Sequence, residues 1–166
     1  MRRINKILSV FLITATLFGI CTFAYADNER ADIDYTISAK ADFLQRLGVV
    51  DNDFDDNTLK SELTRGEFAI FVARANKFAS AKGDNVRYFV DIDSNSRCFE
   101  SVSALIENNI ISSADDGRFR PNDTITYYEA CVMLVNSLGY KSYALANGGY
   151  PSGYLKAART AKLNGY

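Results

Sequence analysis

The sequence predicts an all-α fold of tandem helix-loop-helix repeats, and three observations carry that expectation. Apolar residues recur at helical spacing in five short segments. Two of those segments open on the same Thr-x-x-Glu pattern, at Thr64 to Glu67 and Thr126 to Glu129. The whole arrangement returns at a nearly constant offset, 61 residues from Val49 to Ile110 and 62 from Thr64 to Thr126. Nearly equal offsets mean one folded unit used more than once.

In chain order, residues 1–26 read as a secretory signal peptide: Arg2, Arg3 and Lys6, an apolar run from Ile7 to Ile20, then Ala24-Tyr25-Ala26 before Asp27. The apolar run is short for a membrane span, and Ile20 stands where lipidation of Cys21 needs a small residue. Residues 27–38 form a short lead-in. The first repeat, 39–83, has a helix near Ala39 to Gly48 with Ala41, Leu44 and Leu47 on one face, then Val49-Val50. An acidic loop with Phe54 follows. A second helix starts at Thr64 and runs toward Phe78, with Phe68, Phe71, Val72 and Ala75 at core spacing.

The second repeat, 84–146, opens on Phe89-Val90-Asp91-Ile92 and continues with a helix near Phe99 to Asn109, where Val102, Leu105 and Ile106 share a face. Ile110-Ile111 matches Val49-Val50. A loop with Phe119 leads to the Thr126 capping box and a helix ending at Gly139, whose left-handed conformation closes it. A partial third repeat, 147–166, has one helix near Ser152 to Lys162 carrying Tyr154, Leu155 and Ala158, and no second helix follows. Two short helices bury too little apolar surface alone, so copies must pack on one another.

The 166 residues are 48% hydrophobic and 23% charged, which excludes disordered, collagenous and disulfide-dense classes. The absence of His removes Ser-His-Asp and Cys-His nucleophilic sites, His-containing zinc sites and imidazole acid-base chemistry. Removal of the leader with its three basic residues leaves 16 basic against 20 acidic groups and no basic stripe, so nucleic acid is not an expected partner. Past the leader no apolar segment is long enough to span a bilayer.

Cys98 and Cys131 could bridge outside the cell, but Cys131 sits in the helical core stripe Ala130 to Leu134 and reads as a small apolar residue. Asp51, Asp53, Asp55, Asn57 and Glu62 fall at positions 1, 3, 5, 7 and 12 of a calcium-loop window. Asp56 stands where that loop needs Gly, so the expectation is an acidic connector without a metal. No catalytic constellation stands out; the chain reads as not an enzyme and as needing no cofactor.

Several motifs in order give the pattern a family. Phe89-Val90-Asp91-Ile92 opens a unit, Asp116-Gly117-Arg118-Phe119-Arg120-Pro121-Asn122 fills a loop, and Leu63-Thr64-Arg65-Gly66-Glu67-Phe68-Ala69 opens a second helix. With the junction from Ser137-Leu138-Gly139-Tyr140 to Gly148-Gly149-Tyr150-Pro151, this resembles the S-layer homology domain, the wall-anchoring module of bacterial surface proteins, over about Ala39 to Tyr166.

The resemblance implies three units about a pseudo-threefold axis, whose grooves bind a secondary cell-wall polysaccharide attached to peptidoglycan, often pyruvylated. The family's Thr-Arg-Ala-Glu motif lines each groove. It carries over to Thr64, Arg65 and Glu67, with Gly66 for Ala, and in the second repeat to Glu129, with Tyr127 for Arg. Arg65 is the expected partner of an acidic sugar substituent, since a guanidinium at a helix N-terminus suits a carboxylate. The bland alternative is a solvated Arg65 paired loosely with Glu62 or Glu67. Tyr127 stacks on a sugar face or merely fills surface. The function expected is non-covalent attachment of a secreted protein to the Gram-positive type of wall. The alternative is a non-catalytic assembly module whose incomplete third repeat is completed by a second copy or another surface protein.

Overall fold

The computed structural model describes residues 31–51, 61–79, 88–112 and 115–163, with side chains from residue 39 onward. The expected leader, Phe54 and the middle of the acidic connector lie outside the described residues. Six helices follow one another: α1 (Ala31–Arg46), α2 (Arg65–Ala75), α3 (Phe99–Glu107), α4 (Tyr127–Ser137), α5 (Lys141–Ala146) and α6 (Ser152–Thr160). The all-α expectation holds among the described residues, where the only extended pairing is an isolated antiparallel bridge between Thr64 and Thr124. α1 begins at Ala31, so most of the expected lead-in is helix. The six-residue α5 has no counterpart in the reading of the sequence, being too short to show a period.

Both ends of the repeat helices are set locally. Thr64 and Thr126 form the expected capping boxes, each hydroxyl accepting from the N–H of its Glu three residues on, while that Glu reaches back to the Thr amide. The C-termini share a second device: Gly48, Lys77, Asn109, Gly139 and Lys162 all have φ between +54° and +79°. In each case the residue after it donates its N–H five residues back, as Phe78 does to Ala73 O and Leu163 to Ala158 O, both within 3.0 Å. That following residue is apolar and packs into or against the core, as Val49, Phe78, Ile110, Tyr140 or Leu163. The expected Gly139 closure is thus one of five.

One core runs through all three repeats. Phe68, Leu105, Phe119, Val135 and Leu163 are fully buried, with Leu44, Val72, Val102 and Leu134 at 2% exposure or less. The second helix of each repeat packs on the first helix of the next, α2 on α3 and α4 on α6. α2 is buried on almost every side, with Phe68 to Ala73 all inaccessible, where its spacing indicates a single face. Leu47 departs the other way: expected on the buried face of α1, it caps that helix and is 53% exposed. Gly153 sets how closely α5 and α6 approach, because a Cβ there would stand 2.0 Å from Ala144 O.

Asp91 of the Phe89-Val90-Asp91-Ile92 motif staples the loop of its own repeat. Its two carboxylate oxygens accept from the N–H groups of Phe119 (2.8 Å) and Arg120 (2.7 Å), while the Phe89 and Phe119 rings meet at 5.3 Å. Desolvation acts to raise the Asp91 pKa, but the amides of Phe119, Arg120 and Asp91 itself, with the Arg118 charge, outweigh it and hold the carboxyl below its ordinary value.

Two outcomes follow from these local devices. Because the folded pKa of Asp91 is depressed, its stabilisation is present above the unfolded carboxylate value and is lost as pH falls through the folded one. Asp91→Asn is therefore expected to lower stability at neutral pH by about 1–2 kcal/mol and to flatten part of the acid limb of Tm against pH. Lys77 is exposed and left-handed, a conformation costing an L-residue about 1–2 kcal/mol. Lys77→Gly removes that cost against the greater unfolded-state freedom of glycine, and thermal melting is expected to show a net gain of roughly 0.5–1 kcal/mol.

Candidate functional site

The start of α2 is clasped by the loop of the second repeat. A free helix leaves its first four N–H groups to water. Here Thr64 N–H donates to Glu67 Oε2 (2.9 Å), Arg65 N–H to Asp123 O (2.9 Å), Gly66 N–H to Pro121 O (2.8 Å) and Glu67 N–H to Thr64 Oγ1 (3.2 Å). In return Ile125 N–H donates to Leu63 O (3.0 Å), and Thr124 Oγ1 donates to Glu62 Oε2 (2.8 Å). The clasp needs a small second residue. A Cβ on Gly66 would lie 3.0 Å from Pro121 O and 3.2 Å from Pro121 Cβ.

This clasp brings four of the five sequence-predicted site residues together. Arg65 does not pair with Glu62 or Glu67, whose carboxylates accept from Thr124 and from the Thr64 cap. Its Nη1 donates instead to Glu129 Oε1 of the second repeat at 2.6 Å, and its guanidinium carbon sits 4.8 Å over the centre of the buried Phe119 ring. Glu129 serves two roles: Oε2 caps α4 through Thr126, and Oε1 receives Arg65. The side chains of Arg65 and Glu129 are 23% and 31% exposed, so the pair is partly desolvated. Arg65 Nε is buried without a hydrogen-bond partner, and Nη2 has none among the described residues.

Tyr127 stands apart from that cluster and faces the third repeat. Desolvation by burial, followed by the influence of the nearby Cys131 thiol, pushes its pKa up to about 12, so the phenol is neutral. It is half-buried. Its ring meets Tyr128 edge-on at 6.0 Å, and Tyr128 meets Tyr150 at 6.5 Å. Tyr128 and Tyr150 were not among the residues expected from sequence; their only signal there was Tyr-Tyr adjacency at the start of α4 and an aromatic beside Pro151. The N–H groups of Tyr127 and Tyr128 occupy the positions of Arg65 and Gly66, yet no described residue accepts from them.

The remaining candidates resolve simply. Cys98 and Cys131 are both free and buried, so the bridge is replaced by two separate thiols, each pushed up in pKa by burial. Of the calcium-loop ladder, Asp53, Asp55 and Asn57 lie outside the described residues. Asp51 at its start accepts from both Arg74 (2.8 Å) and Arg97, which ties α2 to the segment before α3. No group of three or more Cys, Asp or Glu converges among the described residues.

Residues 88–131 match the family model of the S-layer homology domain, from the Phe89 motif through the α4 capping box. The chain is 26% identical over 147 residues to a middle cell wall protein of Brevibacillus brevis, covering 82% of this chain and 14% of that one. It is 27% identical over 148 residues to a surface layer protein of Brevibacillus choshinensis, covering 82% and 13%. The chain therefore spans about one seventh of the length of these relatives. The second repeat is an S-layer homology domain, as its motifs indicate.

The Arg65–Glu129 pair is testable as a coupling across the repeat junction. A double-mutant cycle on Arg65→Ala and Glu129→Gln is expected to give an interaction energy of about 1 kcal/mol in urea denaturation, with Arg65→Ala alone costing roughly 1–2 kcal/mol. A coupling of zero would return Arg65 to the role of a free surface cation.

Proposed function

We propose that this chain is a cell-wall anchor, a non-catalytic secreted module that attaches to peptidoglycan-linked secondary polysaccharide through the clefts between its repeats. The observation that carries the reading is the coincidence of the S-layer homology match with a helix start clasped at a repeat junction, where Arg65 Nη2 has no partner among the described residues. The names of the relatives, a cell wall protein and a surface layer protein, support the same location. Within it, Thr64, Arg65, Glu67 and Glu129 form one binding edge and Tyr127 belongs to the next. Nη2 is offered to an acidic sugar substituent such as a pyruvate ketal, with Nη1 held by Glu129 so that the fork is oriented in advance. The repeats about a pseudo-threefold axis complete the proposed architecture.

A second reading has its own observation. α1 sends Ala41 and Leu44 into the core but leaves Phe43 37% and Leu47 at its end 53% exposed. An assembly module would cover them with another chain, and sedimentation velocity at rising concentration would then show a dimer or larger species.

The discriminating experiment is co-sedimentation of the purified chain with wall sacculi before and after the polysaccharide is stripped. The anchor reading expects pelleting with intact walls only. Arg65→Ala is expected to weaken pelleting at least several-fold below its melting range, while Glu129→Gln, which loosens the partner that orients Arg65 but keeps the cation, weakens it by a smaller factor. Equal pelleting with stripped and intact walls would overturn polysaccharide recognition.

A further inference from the structure

We propose that the outer face of the third repeat is a docking surface for an anionic phospholipid membrane, made by Lys156, Arg159 and Lys162 with Tyr143 and Leu145 beside them. This contact is separate from the clefts between repeats and needs no glycan.

The charge of the chain is segregated. All twenty acidic residues lie between Asp27 and Glu129, with twelve basic residues among them. From Ala130 to Tyr166 there is no Asp or Glu, and there are four cations, Lys141, Lys156, Arg159 and Lys162. The mildly acidic net charge of the whole chain averages two unlike parts and conceals a local basic one.

The fold gathers three of these cations on one side. α6 turns Tyr154, Ala157 and Ala158 into the core, which leaves Lys156 and Arg159, three residues apart, exposed on its outer side. Lys162 follows the helix in a left-handed conformation and is exposed too. None of the three forms an ion pair among the described residues, whereas Arg65, Arg74, Arg97 and Arg120 all do. The helix dipole favours Arg159 and Lys162 at the C-terminal end of α6 but not Lys156 at its middle, so it does not account for the set.

Apolar side chains adjoin the cations and decide the class of anion. The Tyr143 hydroxyl of α5 lies 3.5 Å from Thr160 Oγ1, one turn along α6 from Lys156. Tyr143 is 41% exposed and Leu145, on the same short helix, 58%. A polyphosphate or a nucleic-acid backbone offers charge but little for Leu145 to bury against. A lipid surface offers anionic headgroups above an apolar layer, and Lys and Arg suit that boundary because their stems lie along apolar surface while their charged ends reach the phosphates. No helix among the described residues is long and apolar enough to cross a bilayer, so the contact is peripheral. The acidic remainder of the chain is repelled by the same surface, which turns the third repeat toward it.

The test is flotation with phospholipid vesicles, using the chain from Asp27. That form keeps every described residue and removes the cationic, apolar leader, which would bind vesicles by itself. Binding is expected to vesicles of phosphatidylglycerol and phosphatidylcholine in equal parts and not to phosphatidylcholine alone. It is expected to fade as salt rises from about 0.1 M to about 1 M, which shortens screening from about 10 Å to about 3 Å. A cation near an anionic surface contributes about fivefold, so Lys156→Gln/Arg159→Gln/Lys162→Gln is expected to bind about a hundredfold more weakly. The same variant is expected to pellet with wall sacculi as wild type does, because its three positions lie outside the proposed polysaccharide cleft. Leu145→Ser is expected to lose roughly fivefold on mixed vesicles. Should the triple variant not fold, Lys156→Gln alone carries the same test at about fivefold. Wild type that ignores mixed vesicles, or a folded triple variant that binds them as wild type does, overturns the membrane surface and leaves the wall-anchor reading standing. Soluble polyphosphate bound as tightly as the mixed vesicles, with no loss in Leu145→Ser, reassigns the face to a polymeric anion and overturns it as well.

Discussion

The structure depends on how the unsatisfied amides of a short helix are used. α2 has eleven residues, and a helix that short is marginal unless its ends and faces are satisfied from outside. Its N-terminal donors are met half by its own capping box and half by carbonyls of Pro121 and Asp123 in the following repeat. Helix capping thereby becomes the bond between repeats. The clasp also decides the chemistry of its surroundings: it draws Arg65 onto Glu129 and Phe119, and it leaves no room for more than a small residue at Gly66.

A second consequence is that the repeats are related by packing as well as by sequence. α2 on α3 and α4 on α6 are successive uses of one contact, with Asp51 bridging Arg74 and Arg97 as an added tie beside the first. In such a chain each unit completes the core of its neighbour, and stability is a sum of interface terms rather than of independent domains. Asp91 works within one unit, holding the loop that then clasps the preceding helix. Local and inter-repeat bonds are therefore in series, and loosening the loop weakens the junction.

The same register read at two junctions yields two surfaces. Where the capping Thr is followed by Arg, the cation is oriented by a carboxylate across the junction. Where it is followed by Tyr, that ion pair has no counterpart and rings line the approach instead. Repetition of the helix start with variation of the residue beside it places chemically different side chains at equivalent positions of the two junctions.

Much of this was legible before any coordinates. The helical periods, the two capping boxes, the closure at Gly139 and the matched pairs Val49-Val50 and Ile110-Ile111 are interactions within about five residues, and short-range bonds leave short-range signatures in sequence. The partner of Arg65 was not legible. Glu62, Glu67 and Glu129 are alike as carboxylates, and Glu67 and Glu129 even share the same capping role, so only the fold shows that Glu129 lies across the junction with a second oxygen 2.6 Å from Arg65. Nor did periodicity reveal that α2 would be enclosed on nearly all sides, that Leu47 would face solvent, or that Tyr127, Tyr128 and Tyr150 would meet. Those outcomes depend on residues brought together from distant parts of the chain, and the distance between them is set by how whole helices pack.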